Sequence, residues 1–283
     1  MPTIHVLGNL LLIITLGVLG WGLSRRAGWA IVGIGLSGML ALSAVLLAVR
    51  PDLIVKVLPF RDLTFYQNLY PAAVVLFVPC AWRFVGSRSQ RVRMTVWCAL
   101  LFVMSFQPFN YPLAAQARSG GTFIDGDGVC MQSNDYTCSA ASVVTLMRTY
   151  GVEVSEADAI DWARTKREKG TQSLGLYRAL RHYADQVGGR DAVIGHVTLE
   201  TLLERTEPAI VLVGLPSHGR SVAAAAFGRD NNWPVGVYHD VVFMGMDPDH
   251  PDRVLIADPD MGLESWPAEH MRYLFRGVAV MYR

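Results

Sequence analysis

Apolar and polar positions divide the chain into two parts with different rhythms. As far as residue 117, four runs carry no Asp, Glu, Lys or Arg: 4–23, 29–49, 65–82 and 94–117. A membrane-crossing helix needs roughly 20 predominantly apolar residues. Four transmembrane helices are therefore predicted, at about 4–23, 29–49, 65–82 and 94–114. The third is the shortest and contains Pro71 and Pro79. The first does not read as a secretory signal, because no basic segment precedes it and Arg25-Arg26 follow it at once.

Beyond residue 117 the pattern changes. Arg118 to Gly128 is a glycine-rich link whose Asp-Gly-Asp-Gly stretch reads as a turn. Residues 138–150 then form a predicted helix, with Val143, Leu146, Met147 and Tyr150 on one face and Gly151 ending it. Ser155 with Asp158 predicts the cap of a second helix running to about Lys169. A third spans 174–187, and Thr198 opens a short fourth at 199–205. Strands follow at 209–215, 238–246, 253–257 and 278–282. A polar, alanine-rich insertion at 216–237 interrupts them. Helices first and a mostly antiparallel sheet afterwards is an α+β order.

Charge sharpens the division. Ten Lys/Arg stand against two Asp/Glu through Gly120, and fifteen against twenty-two thereafter. The first half's arginines punctuate apolar runs rather than forming a stripe, so nucleic acid is not an expected partner. The first and third loops between the runs hold Arg25, Arg26, Arg83, Arg88, Arg91 and Arg93. The second holds Arg50, Lys56 and Arg61, diluted by Asp52 and Asp62. The positive-inside rule then predicts a multi-pass protein of an inner or plasma membrane, with the part after residue 117 on the extracytoplasmic side. No run has a charge at its centre, so ion or proton transport is unsupported. Asn9, Gln67, Asn68 and Gln107 are candidates for pairing between helices.

The candidate chemistry lies in the second part. Gln132 and Cys138 are six residues apart, and the cysteine stands where a loop enters the 138–150 helix. A helix N-terminus offers free N–H groups and partial positive charge, which favour a thiolate nucleophile. Gln132 can donate to a developing oxyanion. His239 opens an apolar strand and Asp258 closes the next, so a hairpin brings both to one end and lets Asp258 orient His239. Such a histidine serves first as base and then as acid in amide cleavage. The other cysteines make neither a disulfide framework nor a zinc pattern. Cys80 and Cys98 read as small buried hydrophobes, with a contact between them open, and Cys130 as structural or an accidental second thiol. His182 and His196 read as surface residues, and His218 and His250 rank below His239 as bases. Trp162, Trp233 and Trp266 read as packing.

These residues resemble the bacteriocin-processing cysteine peptidases, which remove double-glycine leader peptides and are papain-like in fold. The matching pieces are Gln132 to Cys138, Gly170-Thr171 with Ser173-Leu174, His239 and Asp258-Pro259, over about 129–282. The resemblance implies Cys138 as nucleophile, His239 as base and acid, Asp258 as its orienter and Gln132 as oxyanion donor, with no cofactor and no metal. Two residues depart from the pattern. Ser139 stands where a glycine usually follows the cysteine, and Asp240 where an apolar residue usually follows the histidine. No ATP-binding cassette is present.

The expected architecture is a four-helix transmembrane bundle (1–117), a linker (118–128) and a papain-like cysteine peptidase domain (129–283). Its expected activity is hydrolysis of exported peptides or leader sequences after small residues. Expected partners are a peptide or protein substrate, the lipid bilayer and a separate secretion transporter. Two alternatives stay open: a non-catalytic leader-binding module, and a thiol acyltransferase on the same fold.

Overall fold

The computed structural model describes residues 2–49, Val55, 69–105 and 115–283. It divides into two compact units, Met1–Ala114 and Ala115–Arg283.

The first unit contains α1 (Pro2–Ser24), α2 (Ala27–Val49), α3 (Leu69–Trp82) and α4 (Arg88–Ser105). α3 packs against both α1 and α2 through the buried residues Ala72, Ala73, Leu76 and Cys80. Small residues allow the approach. A Cβ at Gly33 would lie 2.4 Å from the Cys80 sulfur, and one at Gly20 would lie 2.9 Å from the Leu76 carbonyl oxygen. Ser37 Oγ, also buried, donates to the Ala73 carbonyl at 2.7 Å. Cys80 and Cys98 are buried free thiols.

The transmembrane bundle expected from hydropathy is overturned. Among the described residues, no helix is long and apolar enough to cross a membrane. α3 has 14 residues with Pro79 inside it, about 21 Å at 1.5 Å per residue, against a hydrocarbon core of about 30 Å. α4 opens with Arg88, Arg91 and Arg93, so its apolar part begins only at Met94. The multi-pass localisation, and the sidedness drawn from loop charges, are overturned with the bundle. The second loop, with Arg50, Asp52, Lys56, Arg61 and Asp62, lies outside the described residues, as do Gln67, Asn68, Gln107 and the side chain of Asn9.

The second unit has an α+β fold. Helices come first: α5 (Cys138–Thr149), α6 (Glu156–Ala163) and α7 (Ser173–Tyr183), after a two-stranded ribbon of β1 (Phe123–Ile124) and β2 (Cys130–Met131). The rest builds β3 (Ala192–His196), α8 (Leu199–Leu203), β4 (Ala209–Gly214), α9 (Val222–Asp230), β5 (Tyr238–Met246), β6 (Arg253–Asp258), β7 (Gly262–Pro267), α10 (Ala268–Leu274) and β8 (Phe275–Tyr282). These strands form one six-stranded antiparallel sheet in the order β3-β8-β4-β5-β6-β7.

Local chemistry explains most element ends. Ser155 Oγ accepts from Asp158 N–H at 3.0 Å, and Thr198 Oγ1 accepts from Thr201 N–H at 3.2 Å, so both predicted caps are made. α6 stops at Ala163 rather than near Lys169 because Arg164 adopts a left-handed conformation (φ 56°). Asp125 Oδ1 accepts from the N–H groups of Asp127 and Val129, so the Asp-Gly-Asp-Gly stretch is a turn. The 216–237 insertion carries α9, whose Ala224 and Phe227 join the core made by Val211, Val213, Val241, Phe243 and Met271.

Candidate active site

The site forms where the N-terminus of α5 meets the β5–β6 hairpin. α5 is the most buried helix segment, with Ser139 to Met147 all buried, while Cys138 at its first position is half-buried. Its N-cap, Thr137, makes no side-chain cap bond. The Thr137 hydroxyl instead donates to the Asn134 carbonyl and accepts from Asn134 N–H. The first-turn N–H groups are thus left without a capping side chain, beside the Cys138 sulfur.

The loop leading to Cys138 is held by Glu156, a fully buried acid at the start of α6. One carboxylate oxygen accepts from Ser133 N–H at 3.0 Å and the other from Ser119 Oγ at 2.5 Å. Gly120 N–H and Asn134 Nδ2 donate in turn to Ser133 Oγ and the Arg118 carbonyl. Sequence reasoning missed Glu156 because its partners lie 23 and 37 residues away, and nothing local marks it out.

His239 and Asp258 come from neighbouring strands. His239 Nε2 lies 2.8 Å from Asp258 Oδ1, with the histidine side chain 20% exposed and the aspartate 7%. Cys138 lies close enough to the imidazole to favour its charged form. The same Asp258 oxygen accepts from Asp260 N–H at 2.8 Å, so the acid is anchored by its own turn. Two glycines shape this corner. Gly262 ends the turn at φ 91°, and a Cβ there would meet Asp125 Oδ2 at 2.9 Å. Gly214, paired with Tyr238, has φ 145°, and a Cβ there would lie 2.5 Å from the Val237 carbonyl oxygen.

Burial opposes charge on His239, but the Asp258 hydrogen bond and the influence of Cys138 and Asp258 outweigh it, and its pKa is pushed up to about 10. The arrangement thus favours an imidazolium facing the sulfur. Cys130 is the counter-example eight residues earlier. Burial, helped by the charges of Glu156 and Asp125 against Arg148, pushes its thiol up to about 12.

Gln132 is placed beside the acid rather than joined to the thiol. Its N–H donates to the Pro259 carbonyl at 2.7 Å, and its Nε2 lies 3.4 Å from Asp260 Oδ1. Its Oε1 is buried without a partner. No hydrogen bond joins Gln132 to Cys138 among the described residues. The lower-ranked histidines sit elsewhere: His218 is exposed and His250 Nδ1 lies 3.3 Å from Asp247. Exposed His182 stacks on Trp162, with ring centroids 3.5 Å apart, while Trp233 and Trp266 meet edge to face. Among the described residues, no group of three or more His, Cys, Asp or Glu is arranged to hold a metal ion.

No family model matches the chain, and no curated protein sequence matches it. Solved structures similar to it include the peptidase domain of Streptococcus ComA, a bi-functional ABC transporter involved in a quorum-sensing pathway. That likeness has 20% identity and a TM-score of 0.39 over 54% of this chain and 94% of that one. A double-glycine-motif protease from an AMS/PCAT transporter, in complex with its leader peptide, is similar at 20% identity and a TM-score of 0.41, over 60% of this chain and 95% of that one. The Streptococcus mutans ComA peptidase domain is similar at 18% identity and a TM-score of 0.35, over 54% and 96%. At these values the likeness carries no functional argument, and the site geometry has to supply it.

Proposed function

We propose that the second unit is a cysteine peptidase in which Cys138, His239 and Asp258 act in line. The observation that carries this reading is the 2.8 Å bond between Asp258 Oδ1 and the His239 ring, beside Cys138 at the uncapped start of a buried helix. The thiolate attacks the carbonyl carbon of a peptide bond, and the carbonyl oxygen takes up the electron pair. First-turn N–H groups of α5 stabilise that oxyanion. Gln132, on the loop before Cys138, supplies a further donor when its amide turns from Asp260 toward that oxygen. The imidazolium gives its proton to the leaving amine, the C–N bond breaks and a thioester remains. His239 then takes a proton from water, which attacks the thioester, releases the acid and restores the thiol.

The substrate class we propose is the leader of an exported peptide, cut after small residues, in keeping with the motif resemblance from Gln132 to Asp258-Pro259. The test is mass spectrometry of a peptide library, including double-glycine sequences, incubated with wild type and Cys138→Ser. New carboxyl termini formed only by wild type support hydrolysis. Products joined to an added amine point to acyl transfer, and binding without turnover by either protein points to a leader-binding module.

A further inference from the structure

The two residues that depart from the motif are partners. Ser139 Oγ donates to Asp240 Oδ2 at 2.5 Å, although the two are 101 residues apart. One helical turn on, Ser142 Oγ donates to the Asp240 carbonyl at 2.9 Å. All three residues are buried. α5 is therefore fastened to β5 at a single residue by two hydroxyls. The fastened residues are the immediate neighbours of Cys138 and His239, so sliding α5 along β5 would break both bonds together with the thiol–imidazole contact.

An asparagine at 240 would accept the same hydroxyl, so hydrogen bonding alone does not require a carboxylate. A carboxylate adds charge in a low-dielectric interior one residue along β5 from His239, whose charge acts on it. The titratable group that acts on it is His239 on β5 itself, while α5 faces it with the hydroxyls of Ser139 and Ser142. The adjoining strand β4 (Ala209–Gly214) is wholly apolar. Resting on the thiol-peptidase reading, we propose that Asp240 is a positioning residue: held by Ser139, its carboxylate favours the imidazolium form of His239 and so the reactive form of Cys138.

Burial pushes the Asp240 carboxyl up to about 6, with the Ser139 bond and the His239 charge pulling the other way. Cys138 reactivity should then fall on the acid side of about pH 6 as Asp240 takes up a proton. The test is the rate of Cys138 alkylation by iodoacetamide from about pH 5 to pH 8, for wild type, Asp240→Asn, Ser139→Ala, Ser139→Thr and His239→Ala. In Asp240→Asn the acid limb disappears and the rate near pH 7.5 falls about tenfold, equivalent to one pKa unit of imidazolium preference. In Ser139→Ala the limb moves to higher pH, because a bond to the charged form is gone. Ser139→Thr, which keeps the hydroxyl, restores it. A wild-type profile in Asp240→Asn overturns the proposal. Should that variant not fold, an unmoved limb in Ser139→Ala overturns it equally. If His239→Ala slows the reaction and Asp240→Asn does not, only the role of Asp240 fails. If neither slows it, the thiol–imidazole reading fails too.

Discussion

Nε2 of His239 and Oδ1 of Asp258 lie 2.8 Å apart across two antiparallel strands, 19 residues distant in the chain. The contact fixes the ring beside Cys138. Replacing Asp258 by alanine frees the ring and removes the charge that favours the imidazolium. Peptide cleavage should fall about 100-fold or more, within the usual range for losing positioned acid–base catalysis, while a urea titration still shows a cooperative fold. Unchanged turnover in a folded Asp258→Ala protein would remove the acid from the site.

The same contact makes stability depend on pH. The folded state raises the His239 pKa from 6.5 to about 10, so it binds this proton more tightly than the unfolded chain does. The resulting stabilisation is fully present below about pH 6.5 and is lost as pH rises through about 10. Urea midpoints for wild type should decline across that window, and those for His239→Ala should decline less. Equal slopes would contradict the raised value.

Asp240 works in the opposite direction for the fold. Its carboxyl is raised from 3.8 to about 6, so the stability tied to its bound proton is present below 3.8 and lost as pH rises through about 6. Carrying the buried charge at neutral pH costs on the order of 3 kcal/mol at one pKa unit per 1.36 kcal/mol. Asp240→Asn should therefore be more stable than wild type at pH 8 and close to it near pH 4. Thermal or urea unfolding at both values decides, and a variant less stable at pH 8 would show that the carboxylate is needed structurally.

Glu156 organises the loop that delivers Cys138. Its alanine variant leaves Ser133 N–H without its acceptor and frees Ser119, at a cost of about 1–3 kcal/mol for an unsatisfied buried group. Chemical denaturation should show this loss, with a lower turnover alongside. Glu156→Gln keeps an acceptor oxygen and should recover part of both.

Gly262 shapes the turn bearing Asp258. Alanine there meets a positive φ and the Asp125 carboxylate, and should cost about 1–3 kcal/mol and lower cleavage. Gly195 on β3, where a Cβ meets nothing within 4 Å, is the control whose alanine variant should unfold like wild type.

Much of this architecture can be read from local pattern. The apolar face of α5, the caps at Ser155 and Thr198 and the strands β4, β5, β6 and β8 carry periodic or capping signals. Cys138, His239 and Asp258 stand out through their residue types and settings, and the fold joins His239 to Asp258. What the sequence hides is non-local. β3 and β7 owe their pairing to β8 and β6, and α9 appears because the core receives Ala224 and Phe227. Ser139, Asp240 and Glu156 find partners far away in the chain. α6 ends at a left-handed arginine that no glycine announces. Hydropathy misled where it was summed over whole runs. Pro79 lies inside the short α3, and three arginines occupy the start of α4.

The central claim is a thiol made reactive by His239. Its most direct test is the alkylation rate of Cys138 at pH 7, followed by mass spectrometry, with Cys130 in the same molecules as reference. Wild type should modify Cys138 at least roughly 100-fold faster than the buried Cys130, and His239→Ala should slow Cys138 at least about tenfold without changing Cys130. Cys138 rates that are identical in the two proteins would contradict the account.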